Sequence, residues 1–221
     1  MYSGKFLIIV LIFLFSVISS CQTRAGKKIV RAAVPAQTTA SFTCNYSENK
    51  LKCQEIYSAL KLHRANNNEK RFISFISDSI FTCWYGTKWN FYGTTETPGT
   101  CTIACGYFVT TVIRDAGIPI QRIRMAQCAS EEMIKKICIS ESIKRYSNVD
   151  IKTILNEVTK SGFGLYVIGL DNHTGFILND GKEIYFIHST FISPGCVIKE
   201  EAAKSAILVQ SKYKVIGKLK I

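Results

Sequence analysis

The sequence has no apolar run long enough to cross a membrane as a helix. Its longest run, Phe6 to Ile18, has 13 residues, whereas a transmembrane helix needs about 20. Lys5 lies just ahead of this run and small residues follow it. A basic residue, a short apolar segment and small residues are typical of a secretory signal peptide. We therefore expect residues 1–20 to be a signal peptide rather than part of the fold.

The apolar run ends in Ile18-Ser19-Ser20-Cys21. This ending resembles the bacterial lipobox, which implies that Cys21 is lipidated and becomes the first residue of the mature protein; an ordinary secretory signal is the alternative. The stretch 21–42 has no helical or strand periodicity, so it is interpreted as a linker between a lipid bilayer and a domain. The resemblance implies a membrane-anchored protein of the bacterial cell envelope. Gln22 does not resemble an inner-membrane retention signal, which favours the outer membrane facing the periplasm.

Acidic residues are scarce, at 16 against 28 lysines and arginines, which gives a net charge of +12. A basic balance favours an anionic partner. An exported lipoprotein seldom meets nucleic acid, so envelope polymers or lipid headgroups are expected and nucleic acid is not. The basic residues are scattered along the chain, and most are interpreted as a solvated surface. With no internal repeat, residues 43–221 are expected to form one domain, in a monomeric protein.

The nine cysteines form no regular disulfide framework and contain no Cys-x2-Cys pair of the kind that structural zinc sites prefer. Export makes disulfides possible. Cys44 with Cys53, and Cys128 with Cys138, are close enough in sequence to pair, although several cysteines can equally be small buried apolar residues.

Helical patterns precede strand patterns along the chain. Gly117 and Pro119 mark the end of one predicted helix, and Asn179-Asp180-Gly181-Lys182 predicts a hairpin turn. This order indicates an α+β fold with helices packed on an antiparallel sheet. Helices are predicted at 51–63, 69–82, 104–116, 131–139 and 150–160, a loop at 84–103, and strands at 163–169, 173–178, 183–188, 205–210 and 212–219.

Three residues carry the candidate chemistry. Cys105 lies in the first turn of the predicted helix 104–116, where free backbone N–H groups and the helix dipole favour a thiolate and can hold an oxyanion. Of the three histidines in the sequence, His173 begins one strand of the predicted hairpin and His188 ends the other. The two imidazoles are therefore expected at the same end of the sheet. A nucleophile, a base and a group that orients the base are what cysteine hydrolysis needs.

These motifs resemble those of the NlpC-type cell-wall peptidases, which are papain-like cysteine hydrolases. Ala104-Cys105-Gly106-Tyr107-Phe108-Val109 is similar to the family's Asp-Cys-Ser-Gly-Phe-Val, His173-Thr174-Gly175 to its His-Val-Gly, and Phe186-Ile187-His188-Ser189 to its Phe-Ile-His-Ala. The resemblance covers about residues 84–200. Ala104 and Gly106 replace the family's Asp and Ser, which indicates a divergent branch. Residues 43–82 match no part of the family and are expected to be an N-terminal cap or a specificity element.

The resemblance implies a papain-like fold and cleavage of an amide bond in peptidoglycan stem peptides, or in another envelope amide, without cofactor or metal. Cys105 is then the nucleophile, His173 the base and His188 the orienting residue. Tyr85, Trp89 and Gly106 are expected to line the substrate site, Gly106 by leaving room beside the nucleophile. Asp171 is the alternative partner for His173.

Three other functions stay open at this point. Cys101, Cys105, His173 and His188 form a Cys2His2 set that suits tetrahedral zinc. Another amidase or acyl transferase can use the same scaffold. An envelope-binding lipoprotein with an inactive site is the third.

Overall fold

The computed structural model describes residues 44–62 and 66–221. The predicted signal peptide, the lipidation site Cys21, the linker and His63 lie outside the described residues. Within them, no helix is both long and apolar enough to cross a membrane.

The fold is α+β, as predicted, and is built on an open six-stranded antiparallel sheet with the strand order β1-β6-β2-β3-β4-β5. The strands are β1 (Lys144–Ser147), β2 (Gly164–Leu170), β3 (Thr174–Asn179), β4 (Ile184–Ser189), β5 (Val197–Glu201) and β6 (Tyr213–Lys218). The helices are α1 (Tyr46–Leu62), α2 (Asn66–Phe75), α3 (Phe81–Trp84), α4 (Cys105–Asp115), α5 (Arg122–Ala126), α6 (Ser130–Ile137), α7 (Ile151–Lys160) and α8 (Ala206–Gln210). A π-helical turn, Ile76–Ile80, joins α2 to α3.

Both faces of the sheet are covered. On β3, Phe176 and Leu178 belong to the core shared with α1 to α4 and α6. Ile177, between them, belongs to a second core with α7 and α8. Because successive side chains of a strand point to opposite faces, burial on both sides explains why consecutive residues in the middle of β3 are all apolar.

The C-terminal end of α4 and the turn of the β3–β4 hairpin agree with the sequence predictions. Gly117 has φ +99°, and the amides of Gly117 and Ile118 bond carbonyls of the last turn of α4. This is the left-handed helix end that glycine tolerates. At the hairpin, Gly181 has φ +91°, and the Asp180 carboxylate accepts from the amides of Lys182 and Glu183, each at 2.8 Å. The hairpin turn sets the register between β3 and β4, the two strands that carry the histidines at their other ends.

Other predictions were wrong. The segment 205–210 is helix α8, begun by Ser205, whose hydroxyl accepts from the Leu208 amide. Short apolar segments of this kind fit a strand or a helix equally well. Strands β1 and β5 and helix α5 were not predicted.

The expected cysteine pairs do not form. Cys44 is bonded to Cys83, with Cα atoms 5.4 Å apart, and Cys53, Cys128 and Cys138 are free. The disulfide ties the segment before α1 to α3, a proximity created by helix packing and not visible from sequence spacing.

Candidate active site

The two sheet histidines meet as the hairpin pattern predicts. His173 Nε2 lies 2.8 Å from His188 Nδ1, and their rings are nearly perpendicular, at 83°. His188 continues the chain, because its Nε2 lies 3.0 Å from Glu200 Oε1 on β5. Both imidazoles are buried, whereas Glu200 is partly exposed. The three side chains therefore form one line of hydrogen bonds that runs inward from a carboxylate.

This line of hydrogen bonds determines which nitrogen of His173 is basic. The hydrogen bond from His188 lowers the pKa of Glu200, so its carboxylate is ionised and only accepts. His188 must then carry its proton on Nε2, which leaves Nδ1 as an acceptor for the Nε2–H of His173. The Nδ1 of His173 consequently holds a lone pair. Among the described residues, that buried atom has no hydrogen-bond partner.

Gly175 provides the space that this arrangement needs. A Cβ at Gly175 would lie 2.6 Å from the Phe186 ring and 2.8 Å from the Cβ of His188. Phe186 in turn stacks on His188, with ring centroids 3.9 Å apart and planes 15° apart. The glycine of the His173-Thr174-Gly175 motif therefore allows His188 to occupy its place beside the base.

Cys105 and His173 line the same cavity, whose volume is about 480 Å³. Cys105 is the first residue of α4, and its sulfur is within hydrogen-bonding reach of the backbone N–H groups of Gly106 and Thr174, the latter next to His173. The cavity is lined by Cys105, Gly106, Ala126, Cys128, Ala129, Ser130, Glu131, Met133, Leu170, Asp171, Asn172, His173, Thr174 and Tyr213.

The electrostatics of the cavity differ from the sequence expectation of a thiolate at rest. Burial raises the pKa of the Cys105 thiol, and the surrounding backbone N–H groups offset only part of this effect. Burial, together with the neighbouring His188, lowers the pKa of His173 to about 3. Both shifts favour the uncharged form of each residue. The resting pair is therefore a neutral thiol and a neutral imidazole, because desolvation outweighs the helix dipole.

The residues predicted to line the substrate site have different positions. Trp89 is half-buried and packs on Phe191, with centroids 6.0 Å apart, and Phe191 contacts the His173 ring edge-on at 5.5 Å. Trp89 thus supports a side chain that packs on the His173 imidazole. Tyr85 instead packs half-buried against the core and is not among the cavity residues, so its predicted contact with substrate is not supported.

Gly106 lines the cavity. The need for a glycine there is explained by packing within the protein and not by the predicted room for substrate. A Cβ at Gly106 would lie 2.6 Å from the carbonyl oxygen of Ala126. The absence of a side chain therefore lets α5 pack closely against the start of α4.

Two alternatives considered from sequence do not fit the geometry. Asp171 accepts from Ser211 Oγ at 3.0 Å and from the amides of Lys212 and Tyr213 at 2.7 and 3.0 Å. It therefore fixes the approach to β6 and does not orient His173. For zinc, no group of three or more metal-ligating side chains with suitable geometry occurs in the part of the chain that the structure describes.

Glu200 is the site residue that sequence reasoning missed. It lies opposite Phe186 in the β4–β5 register, two residues from the Ile198 that faces His188. These positions share one face of the sheet. Recognition of β5 as a strand would have placed a carboxylate beside His188. The side chains of β5 (Val197–Glu201) alternate between buried and more exposed positions. The segment before this strand is rich in turns, and the strand was therefore not recognised from the sequence.

Comparison with known proteins adds no assignment to this geometry. No family model matches the chain, and no curated protein sequence matches it.

Proposed function

We propose that this protein is a cysteine hydrolase with a papain-like fold that cleaves amide bonds, with Cys105 as nucleophile, His173 as base and His188 as orienting residue. The observation that carries the proposal is one nitrogen lone pair that stays free in the buried line of hydrogen bonds. His173 Nδ1 has no partner among the described residues, although its other nitrogen and both nitrogens of His188 are bonded. A buried nitrogen left unpaired costs stability, so its retention in a residue that lines the same cavity as Cys105 supports a chemical role.

In the proposed mechanism, the proton moves as the bond forms. His173 Nδ1 takes the proton from the Cys105 thiol while the sulfur attacks the substrate carbonyl carbon. The resulting imidazolium then protonates the leaving amine, and an acyl-enzyme thioester is left. Water, deprotonated by the same Nδ1, hydrolyses the thioester and restores the thiol.

Two features support the charges that develop in this reaction. His188 and the Glu200 carboxylate stabilise the imidazolium through the hydrogen bond from Nε2 of His173, which a neutral ring makes less strongly. The first N–H groups of α4 have no acceptor within the helix. They lie beside the Cys105 sulfur and are placed to hold the carbonyl oxygen as it becomes an oxyanion.

The proposed substrate is a peptidoglycan stem peptide or another envelope amide. It rests on the resemblance of three motifs to the NlpC-type peptidases and on the predicted lipid anchor at Cys21. On this proposal the protein is a monomer held by its acylated N-terminus at the periplasmic face of the outer membrane, and nucleic acid is not its partner.

The experiment is digestion of purified peptidoglycan by the full-length protein in detergent, with the released fragments identified by mass spectrometry. We expect peptide fragments that carry new amine and carboxyl ends. Cys105→Ala should abolish them. Cys101→Ala removes an exposed thiol and should leave them unchanged. If Cys105→Ala releases the same fragments as wild type, the proposal is wrong.

A further inference from the structure

A second cavity lies beside the catalytic one and is strongly basic. Its volume is about 650 Å³, and its lining includes the guanidinium groups of Arg114, Arg122 and Arg124 but the carboxylate of Glu96 alone. Cys128 lines both this cavity and the catalytic one. The two cavities therefore share this residue in their linings.

The positive charge of this cavity is only partly neutralised. Glu96 forms ion pairs with two arginines. Its Oε2 lies 2.6 Å from Arg114 Nη1, and its Oε1 lies 3.4 Å from Arg122 Nη1. Arg114 also contacts Asp115, at 2.7 Å. Arg122 is 7 % exposed and donates to the carbonyls of Thr94 and Thr95, which carry no net charge.

Arg124 differs from the other two arginines. It is exposed at the cavity, and among the described residues its guanidinium contacts only the amide oxygen of Gln121, at 3.4 Å. Most of its donors are therefore free for a ligand. A guanidinium presents donors in a planar fork that matches the two oxygens of a carboxylate.

We propose that this basic cavity binds a carboxylate group of the substrate, with Arg124 as the principal contact, while the amide bond to be cleaved lies at Cys105. The proposal rests on the proposed hydrolase function for its second half only. Arg114 and Arg122 set the positive potential of the cavity, since their donors are mostly engaged by the protein. Selection of acidic peptides by this cavity also gives a local role to part of the excess basic charge of the sequence.

Binding is tested with the full-length Cys105→Ala protein, glutarate as probe and its uncharged diamide, glutaramide, as the matched control. Calorimetry should detect glutarate and not glutaramide. Arg124→Gln should weaken glutarate on the order of ten-fold. Arg71→Gln removes the same charge from an exposed position on α2 and should leave the affinity unchanged. Equal binding of the two probes, no binding of glutarate, or equal loss in both variants overturns the site. Tighter binding of inorganic phosphate than of glutarate overturns the carboxylate assignment.

The link to substrate is tested with the active protein and peptidoglycan fragments, either native or with their carboxylates converted to amides. Arg124→Gln should raise KM for the native fragments about ten-fold, leave kcat unchanged, and have no effect on the amidated ones. An unchanged KM for native fragments overturns the substrate role. A wild-type protein that cleaves neither form contradicts the proposed hydrolase function, and the glutarate measurements still decide whether the site binds carboxylates.

Discussion

Two buried polar clusters adjoin helix α4, Asp115 at its end and His173 beside its start, and they differ in how completely their atoms are bonded. Asp115 accepts from Tyr46 at 2.9 Å, Lys50 at 3.1 Å and Arg114 at 2.7 Å, so both of its oxygens are occupied. The chain through His173 leaves one nitrogen unpaired. A complete network stabilises the fold, whereas a buried lone pair kept free in a residue that shares a cavity with a thiol is suited to accept a proton. Complete bonding is therefore expected of a structural cluster, and an unpaired atom of the proposed catalytic one.

The largest expected effect follows from removing that lone pair without disturbing its neighbours. In His173→Gln, the new amide N–H can still donate to His188 Nδ1, but no basic nitrogen remains. We expect kcat to fall roughly a thousand-fold, in line with the loss of a general base. The melting temperature should stay close to that of the wild type. A variant that keeps most of its activity would remove His173 from the mechanism.

The orienting chain should matter less than the base itself. His188→Ala leaves the imidazole of His173 without its partner, and we expect kcat to fall on the order of a hundred-fold. His188→Gln should recover part of this loss, since an amide oxygen can accept from His173 Nε2. Glu200→Gln retains an acceptor but loses the charge, so we expect the mildest loss, about ten-fold. Near-wild-type kcat in His188→Ala would contradict an orienting role.

The parts of the site that could be predicted are those whose secondary-structure elements are recognisable from local sequence signals. The meeting of His173 and His188 follows from one hairpin, whose turn residues and strand register are local. Glu200 was missed because β5 was not recognised as a strand, although the residue lies only 12 positions from His188. The Cys44–Cys83 disulfide depends on contacts between segments 39 residues apart in sequence, so it was not predicted. The ionisation of Cys105 was misjudged for a related reason: helix position is visible in the sequence, but the burial that raises the pKa is a property of the assembled core.

The buried imidazole of His173 should also make the stability of the fold sensitive to acid. Burial lowers the pKa of His173 to about 3 in the folded state, below the value of about 6.5 in an unfolded chain. The folded state therefore binds fewer protons, and the contribution of His173 to stability is complete above pH 6.5 and is lost as the pH falls toward 3. His173→Gln should flatten the fall in melting temperature between pH 6.5 and 4. An identical pH profile in wild type and variant would contradict the neutral, buried imidazole.

The smallest effect on activity is expected from breaking the complete network. Asp115→Asn keeps the shape of the side chain and an acceptor for Tyr46, but it removes the charge that faces Lys50 and Arg114. Those two cations are partly exposed, at 37 % and 28 %, so water can replace part of what they lose. We therefore expect a loss of about 1–3 kcal/mol in the free energy of unfolding and a melting temperature lower by several degrees.

The value of kcat should not change, because no atom of this cluster belongs to the line of hydrogen bonds that ends at His173 Nδ1. Thermal unfolding and steady-state kinetics on the same preparation separate the two effects. If Asp115→Asn lowers kcat as far as His188→Ala does while its melting temperature stays at the wild-type value, a fully bonded cluster is not a mark of a structural role in this protein.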